Sequence, residues 1–303
     1  MPGGIDFSSK PEPPPSANER APELPQQMVL FVVRHGESEW NQARAENNFF
    51  AMAGSYDHPL NSTGLQQAKV LASSWPSSEV AGAMKRARVY SSPLTRAVQT
   101  AMMGFAAHPR VEGEGVCLVR AAREVKHSVL NLDSVGIAVS GGVHARACDE
   151  AAKHLAPEDL ELLQRTKLQA AEAQEKWWTS NYDTQEEIDL RVAELFARIR
   201  SDVAAATDEN SWSLASGTEP DPELPAAIIV AHSIFIREMV RRCTVAGTPF
   251  SETDLAAELT EGKLCNAGSI QLTVRFLPPK AQDVRSGAIN CPCNRTKFLD
   301  CLT

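Results

Sequence analysis

The sequence predicts an α/β fold: a three-layer αβα sandwich on a mainly parallel sheet, with one antiparallel edge strand and a helical cap inserted at about 131–187. Three observations predict it. Short β-branched runs alternate with segments of helical periodicity, the rhythm of a parallel sheet covered by helices on both faces. Two of those runs, Val29–Val33 and Ala226–Ala231, are apolar at every position, as strands buried on both faces are. A later run, Ser269–Phe276, alternates instead, which suits an edge.

The elements follow in order. Val29–Val33 is the first strand. The helix in NSTGLQQAKVLASSW comes next, with Ser62 or Thr63 as its N-cap and Asn61 capping or turning just before it. RVYS, Arg88–Ser91, is a second strand, and TRAVQTAMMGF is a helix opened by Thr95 after a proline. Val116–Val119 is a third strand. Residues 144–175, rich in Ala, Glu and Leu, are expected to be helical. Thr184 and Glu187 have capping-box spacing, and behind them Ile188, Val192, Leu195, Phe196 and Ile199 form one apolar stripe. Strand Ala226–Ala231 leads directly into the helix IFIREMVRRC, and Ser269–Phe276 is the fifth strand.

With 303 residues and a 43% hydrophobic share, the chain can build one large core. Residues 1–26, rich in Pro, Ser and Glu, bury too little to offset their ordering entropy and are expected to be a disordered leader. The domain is expected to span 27–278 and a tail 279–303. That tail carries Cys291, Cys293 and Cys301, read as exposed thiols because structural zinc wants four well-spaced ligands. Seven scattered cysteines and no basic-then-apolar leader point to reduced thiols and a cytoplasmic location. No apolar run reaches membrane-spanning length. A formal charge of −8 argues against broad nucleic-acid binding while permitting a local cationic pocket.

Ligands bind beyond the carboxyl ends of strands in an open parallel sheet. Two strands here end in histidine, FVVRH at His35 and IIVAH at His232. Arg96 follows the second strand closely, and Arg123 and Glu124 follow the third. If those strands are neighbours, Arg34, His35, Arg96, Glu124 and His232 converge on one crevice. Two arginines offer forked donors that match phosphate oxygens. One imidazole can attack phosphorus, the other can donate to an equatorial oxygen, and a carboxylic acid can protonate a leaving alcohol. Gly36 is expected to let a phosphate approach the backbone. Glu37, Glu39 and Glu150 are the alternatives to Glu124 as the acid. His127 is placed either in the crevice or at the surface, and His108, His144 and His154 read as solvated.

These blocks resemble the histidine phosphatase superfamily, also called phosphoglycerate-mutase-like, in its RHG-bearing branch. The matching pieces are RHGESEWN at 34–41, DHPLNSTGLQQA at 57–68, SSPLTRAVQTA at 91–101, REVKHS at 123–128 and VAHSIFIRE at 230–238. The resemblance implies that His35 is the phosphorylated nucleophile and that Arg34 and Arg96 clamp the phosphate. It further implies that Asn41, His232 and the backbone N–H of Ser233 complete the phosphate site, and that Glu124 is the proton donor. It implies no metal and no cofactor. The expected partner is a small-molecule phosphate ester, with neither nucleic acid nor membrane; the residues carry no signal for oligomeric state.

Cofactor-dependent mutases of this family usually carry an RHYG-like block at the acid and an RR-rich segment followed by prolines. The first position here reads REVKHS and the second has no counterpart. Phosphatase is therefore the preferred reading, with mutase or a low-activity partner-binding protein as alternatives. LDSVG at 132–136 and EKWWTSNYDTQEE at 175–187 lie in the expected cap, with Trp177 and Trp178 divided between core and substrate wall.

Overall fold

The computed structural model describes residues 24–128, 131–137, 142–179, 181–209, 224–244, 251–276 and 293–298. In chain order the strands are β1 (Gln27–Arg34), β2 (Arg88–Ser91), β3 (Val116–Leu118), β4 (Leu168–Gln169), β5 (Ala226–Ala231), β6 (Ser269–Arg275) and β7 (Cys293–Phe298). The helices before β3 are α1 (Glu39–Ala45), α2 (Phe49–Ala53), α3 (Ser62–Ser74), α4 (Ala81–Arg86), α5 (Thr95–Gly104) and α6 (Pro109–Glu114). After it come α7 (Gly142–Ala151), α8 (Pro157–Arg165), α9 (Gln185–Glu209), α10 (Ser233–Cys243) and α11 (Asp254–Glu261).

The strands form one sheet in the order β4-β3-β2-β5-β1-β6-β7. Pairing is parallel from β4 to β1, β6 runs antiparallel to β1 as its alternation suggested, and β7 pairs antiparallel on the outer side of β6. Alternate residues of a strand face opposite sides. Met28, Leu30 and Val32 of β1 therefore join a core with α9, α10 and α11, while Val29, Phe31 and Val33 join a second core with α3, α5 and α7. That division is the three-layer sandwich. The α9 stripe of Ile188, Val192, Leu195, Phe196 and Ile199 is buried throughout. Its capping box is present, with Glu187 N–H donating to Thr184 Oγ1 at 3.2 Å and Thr184 N–H to Glu187 Oε2 at 2.7 Å.

Several local expectations need correction. Asn61, rather than Ser62 or Thr63, caps α3, accepting from Gly64 N–H at 2.8 Å. The 144–175 stretch is not one helix. It divides into α7 and α8, broken where Pro157 opens α8, and then contributes β4 at the sheet edge. Two residues are too few to show alternation. His108 is buried and solvent-free, with Nε2 2.7 Å from Met84 O and its ring 5.2 Å from that of Trp75. Cys117, Cys148 and Cys243 are buried and in no disulfide, but Cys265 is disulfide-bonded, so reduced thiols do not hold throughout. Residues 1–23, Cys291 and Cys301 lie outside the described residues, so the leader and most of the tail do too. Among the described residues no helix is long and apolar enough to cross a membrane.

Two glycines lock the turn after β1 onto α3. A Cβ on Gly64 would lie 2.0 Å from Glu37 O, and one on Gly36 would lie 2.6 Å from Gly64 O. The absent side chain at Gly36 thus admits another backbone, in place of the phosphate approach expected of it. Gly64→Ala is predicted to destabilise the protein by about 1–3 kcal/mol or more, because backbone must move to relieve overpacking. Gly113→Ala in α6, where nothing lies within 4 Å of the added atom, should be neutral or slightly stabilising. Urea denaturation of both variants checks the contrast.

Candidate active site

The site grows from strand register. β1 and β5 are parallel neighbours with Arg34 opposite Ala231, so the next residue of each chain segment, His35 and His232, emerges side by side. Their ring centroids are 5.0 Å apart at 53°. His35 N–H donates to Ala231 O at 3.0 Å, which carries the pairing one residue beyond the strands. β2 lies on the other side of β5 with Ser91 opposite Val230, bringing Ser92 to within 2.8 Å of His232 Nε2.

The tautomer of His35 follows from its partners. Nδ1 is 2.6 Å from Gly36 O, a group that can only accept, so Nδ1 carries the proton. Nε2 then holds a free electron pair, and it accepts from Arg96 Nε–H at 3.3 Å. Ser92 Oγ accepts from Leu94 N–H and lies 2.8 Å from His232 Nε2; a hydroxyl keeps a second lone pair as well as its proton, so it can pair with either tautomer of that ring. His232 Nδ1 is buried and has no hydrogen-bond partner among the described residues. Burial, and then the positive charge of Arg96, hold both imidazoles well below the ordinary histidine range, so both are neutral.

Arg96 is almost solvent-free at 1% exposure. It sits in the first turn of α5, whose N-terminus is capped from outside: Asp57 accepts from Thr95 N–H at 2.8 Å and from Thr95 Oγ1–H at 2.7 Å. The Arg96 main chain is tied back to the RHGE turn, since Thr100 Oγ1 donates to Arg96 O and accepts from Gly36 N–H. Arg34 Nη1 donates to Leu264 O at 2.6 Å, and its buried Nε has no partner among the described residues. Desolvation, with Arg96 adding to it, brings the pKa of Arg34 down to about 10, still charged at neutral pH.

Glu124 joins this cluster by capping α10. Its Oε1 accepts from Val125 N–H at 2.9 Å and from Phe235 N–H at 3.0 Å. Burial raises its pKa, against Arg96 and those two N–H donors. The other three carboxylates are engaged elsewhere: Glu37 with Asn61, Glu39 near His58, and Glu150 with Arg146 and Lys153. The segment bearing Glu124 is braced by Arg191 of α9, which donates to Ala121 O and Arg123 O and pairs with Asp183 at 3.0 Å. Asp183 also pairs with Arg123 and accepts from Lys126 N–H.

The remaining expected residues are placed unequally. Asn41 Oδ1 is taken up by the α1 capping box with Ser38, so only its amide NH2 remains for a ligand. Ser233 opens α10 beside His232. His127 is exposed. Trp177 is core, and Trp178 packs against it edge to face. The sequence reading passed over Ser92, Asp57, Asp133 and Asp183. SSPLTR and DHPLN flagged the neighbourhood of the first two, but no local pattern marks a side chain that acts by contacting a distant element. Among the described residues no group of three or more His, Cys, Asp or Glu is arranged to hold a metal ion.

Residues 30–112 match the model of the histidine phosphatase superfamily (branch 1). The similarity to that superfamily thus covers residues 30–112 of the 303-residue chain. The match contains Arg34, His35, Asn41 and Arg96 and ends before Glu124 and His232, so the placement of those two in the cluster rests on the geometry above. Similar solved structures include a phosphoglycerate mutase from Bacillus anthracis (17% identity, 82% of this chain and 89% of that one, TM-score 0.45). A mycobacterial glucosyl-3-phosphoglycerate phosphatase is 16% identical over 88% of this chain and 98% of its own, with TM-score 0.43. A putative alpha-ribazole-5'-P phosphatase from Escherichia coli is 15% identical over 90% and 97%, also at 0.43. No curated protein matches the sequence.

The two neutral imidazoles set a stability prediction. Their folded pKa lies below the ordinary 6.5, so below pH 6.5 the unfolded chain binds protons that the folded one does not, and stability falls as pH falls. Glu124 and Asp57, with raised values, act in the opposite sense in the carboxylate range. Comparing wild type with His232→Gln by urea denaturation isolates one imidazole. The wild type should lose about 1.4 kcal/mol per pH unit relative to the variant below pH 6.5. Parallel curves would remove the buried neutral assignment.

Proposed function

We propose that this protein is a metal-independent phosphomonoester hydrolase acting on a small phosphorylated metabolite through a phosphohistidine on His35. The observation that carries the proposal is the pair of neutral, buried imidazoles 5.0 Å apart with the Arg96 guanidinium on the nucleophilic nitrogen. In this reading His35 Nε2 attacks phosphorus while the bond from phosphorus to the ester oxygen breaks. Positive charge builds on the ring, and Gly36 O steadies the Nδ1–H that carries it. Arg34, Arg96 and His232 Nδ1–H take the phosphoryl oxygens, with Asn41 and Ser233 as further donors. Glu124 hands its proton to the leaving oxygen and releases an alcohol. The resulting carboxylate then removes a proton from water as that water attacks phosphorus. The N–P bond breaks, inorganic phosphate leaves, and Glu124 is protonated again.

The helix-capping contacts of Glu124 fit this role. Oε1 is committed to two backbone donors, so the proton resides on Oε2. Burial keeps the acid form available at a higher pH than for an exposed carboxyl.

Turnover of p-nitrophenyl phosphate in the presence of a chelator, abolished by His35→Ala, is the first expected outcome. Activity should fall on the alkaline side as Glu124 ionises, with no acid limb near pH 6.5, because both imidazoles are already neutral there. Glu124→Gln should slow an alkyl phosphate by about 10²–10⁴-fold, and p-nitrophenyl phosphate much less, since its leaving group needs little protonation. Equal losses on both substrates would refute Glu124 as the acid. Conversion of 3-phosphoglycerate dependent on 2,3-bisphosphoglycerate, without phosphate release, would instead identify a mutase.

A further inference from the structure

Asp133, in the short 3-10 turn Leu132–Ser134, reaches the same guanidinium as the nucleophile. Arg96 Nη1 donates to its main-chain oxygen at 2.7 Å, and Arg96 Nη2 lies 3.4 Å from its Oδ2. The two contacts differ in kind. The first is short and belongs to backbone that is itself held: Gly136 lies so close to Trp177 and Trp178 that a Cβ there would come within 2.4 Å of an indole carbon. The second is long, and Asp133 Oδ1, though buried, has no hydrogen-bond partner among the described residues. A carboxylate serving only as a structural partner for arginine would bring both oxygens onto the guanidinium fork. Among the described residues this one has a single long contact, beside the arginine pair, and its Oδ1 accepts no hydrogen bond there.

We infer that Asp133 is a positioning residue for phosphoryl binding: its main-chain oxygen fixes the Arg96 guanidinium, while its carboxylate stands where a phosphoryl oxygen binds and is exchanged for it. The main chain stays in place during the exchange, and the side chain rotates off Nη2. This inference rests on the phosphatase reading of the site. It adds that the clamp is kept neutralised by the protein's own anion, which lowers affinity for inorganic phosphate and speeds its release. The same carboxylate also faces Glu124. There it opposes the attraction of Arg96, Arg34, Arg191 and Lys263 and helps to keep Glu124 protonated.

Calorimetric titration of the full-length protein with inorganic phosphate tests the exchange without requiring turnover. Asp133→Asn keeps the shape and removes the charge, so it should bind phosphate about fivefold or more tightly than wild type. Asp133→Glu, which restores the charge, should bind close to wild type, and thermal melts of both variants report folding. Under p-nitrophenyl phosphate turnover, KM should fall with kcat changed less, and the alkaline limb should move to lower pH in Asp133→Asn. Equal affinity in wild type and Asp133→Asn, weaker binding in the variant, or binding by neither protein overturns the proposal. Phosphate binding with the expected ratio but no turnover by wild type would overturn the phosphatase reading alone.

Discussion

The parallel pairing of β1 with β5 is the constraint from which the site follows. Once Arg34 stands opposite Ala231, no freedom remains in where His35 and His232 leave the sheet. A slip of one residue would turn the strand's inward set outward and separate the two rings onto different faces. The register is held by burial on both faces: six consecutive residues of each strand are divided between two cores. The placement of the two rings is thus underwritten by apolar burial on both faces of the sheet.

Around that axis, charge is managed by desolvation. His35, Arg96 and His232 are almost solvent-free beside half-buried Arg34, so the imidazoles give up protonation while Arg34, lowered to about 10, keeps its own. The cations are met by backbone carbonyls, Leu264 O on Arg34 and Asp133 O on Arg96, which supply partial negative charge. The converse holds for Glu124, where Phe235 N–H at the N-terminus of α10 and the adjacent Val125 N–H donate to one carboxylate oxygen. Arg34, His35, Arg96 and Glu124 are each tied to backbone groups, whereas His232 is tied to the Ser92 side chain.

Outside this cluster lie groups that decide where its members sit. Asp57 caps α5 and so sets the height of Arg96. Gly36 and Gly64 allow two backbones to meet, and Thr100 ties the turn to α5. Arg191 and Asp183 clamp the segment that ends in Glu124. Asp133 brings a carboxylate directly onto the Arg96 guanidinium.

By itself the sequence determined the layers, because apolar runs and helical stripes report burial one residue at a time. Val29–Val33, Arg88–Ser91, Ala226–Ala231 and the α9 stripe all lie where periodicity placed them, and the RHGE, SPLTR and VAH blocks marked His35, Arg96 and His232. Local chemistry also pointed to Glu124 ahead of Glu37, Glu39 and Glu150. That Glu124 is buried against the N-terminus of α10 while the others are engaged elsewhere is visible only in the tertiary structure, since neither is a local property. The same holds for the capping of α5 by Asp57, the two-residue β4, buried His108 and the reach of Asp133 to Arg96. Each depends on which distant segments are brought together, and short-range pattern carries no record of a partner dozens of residues away.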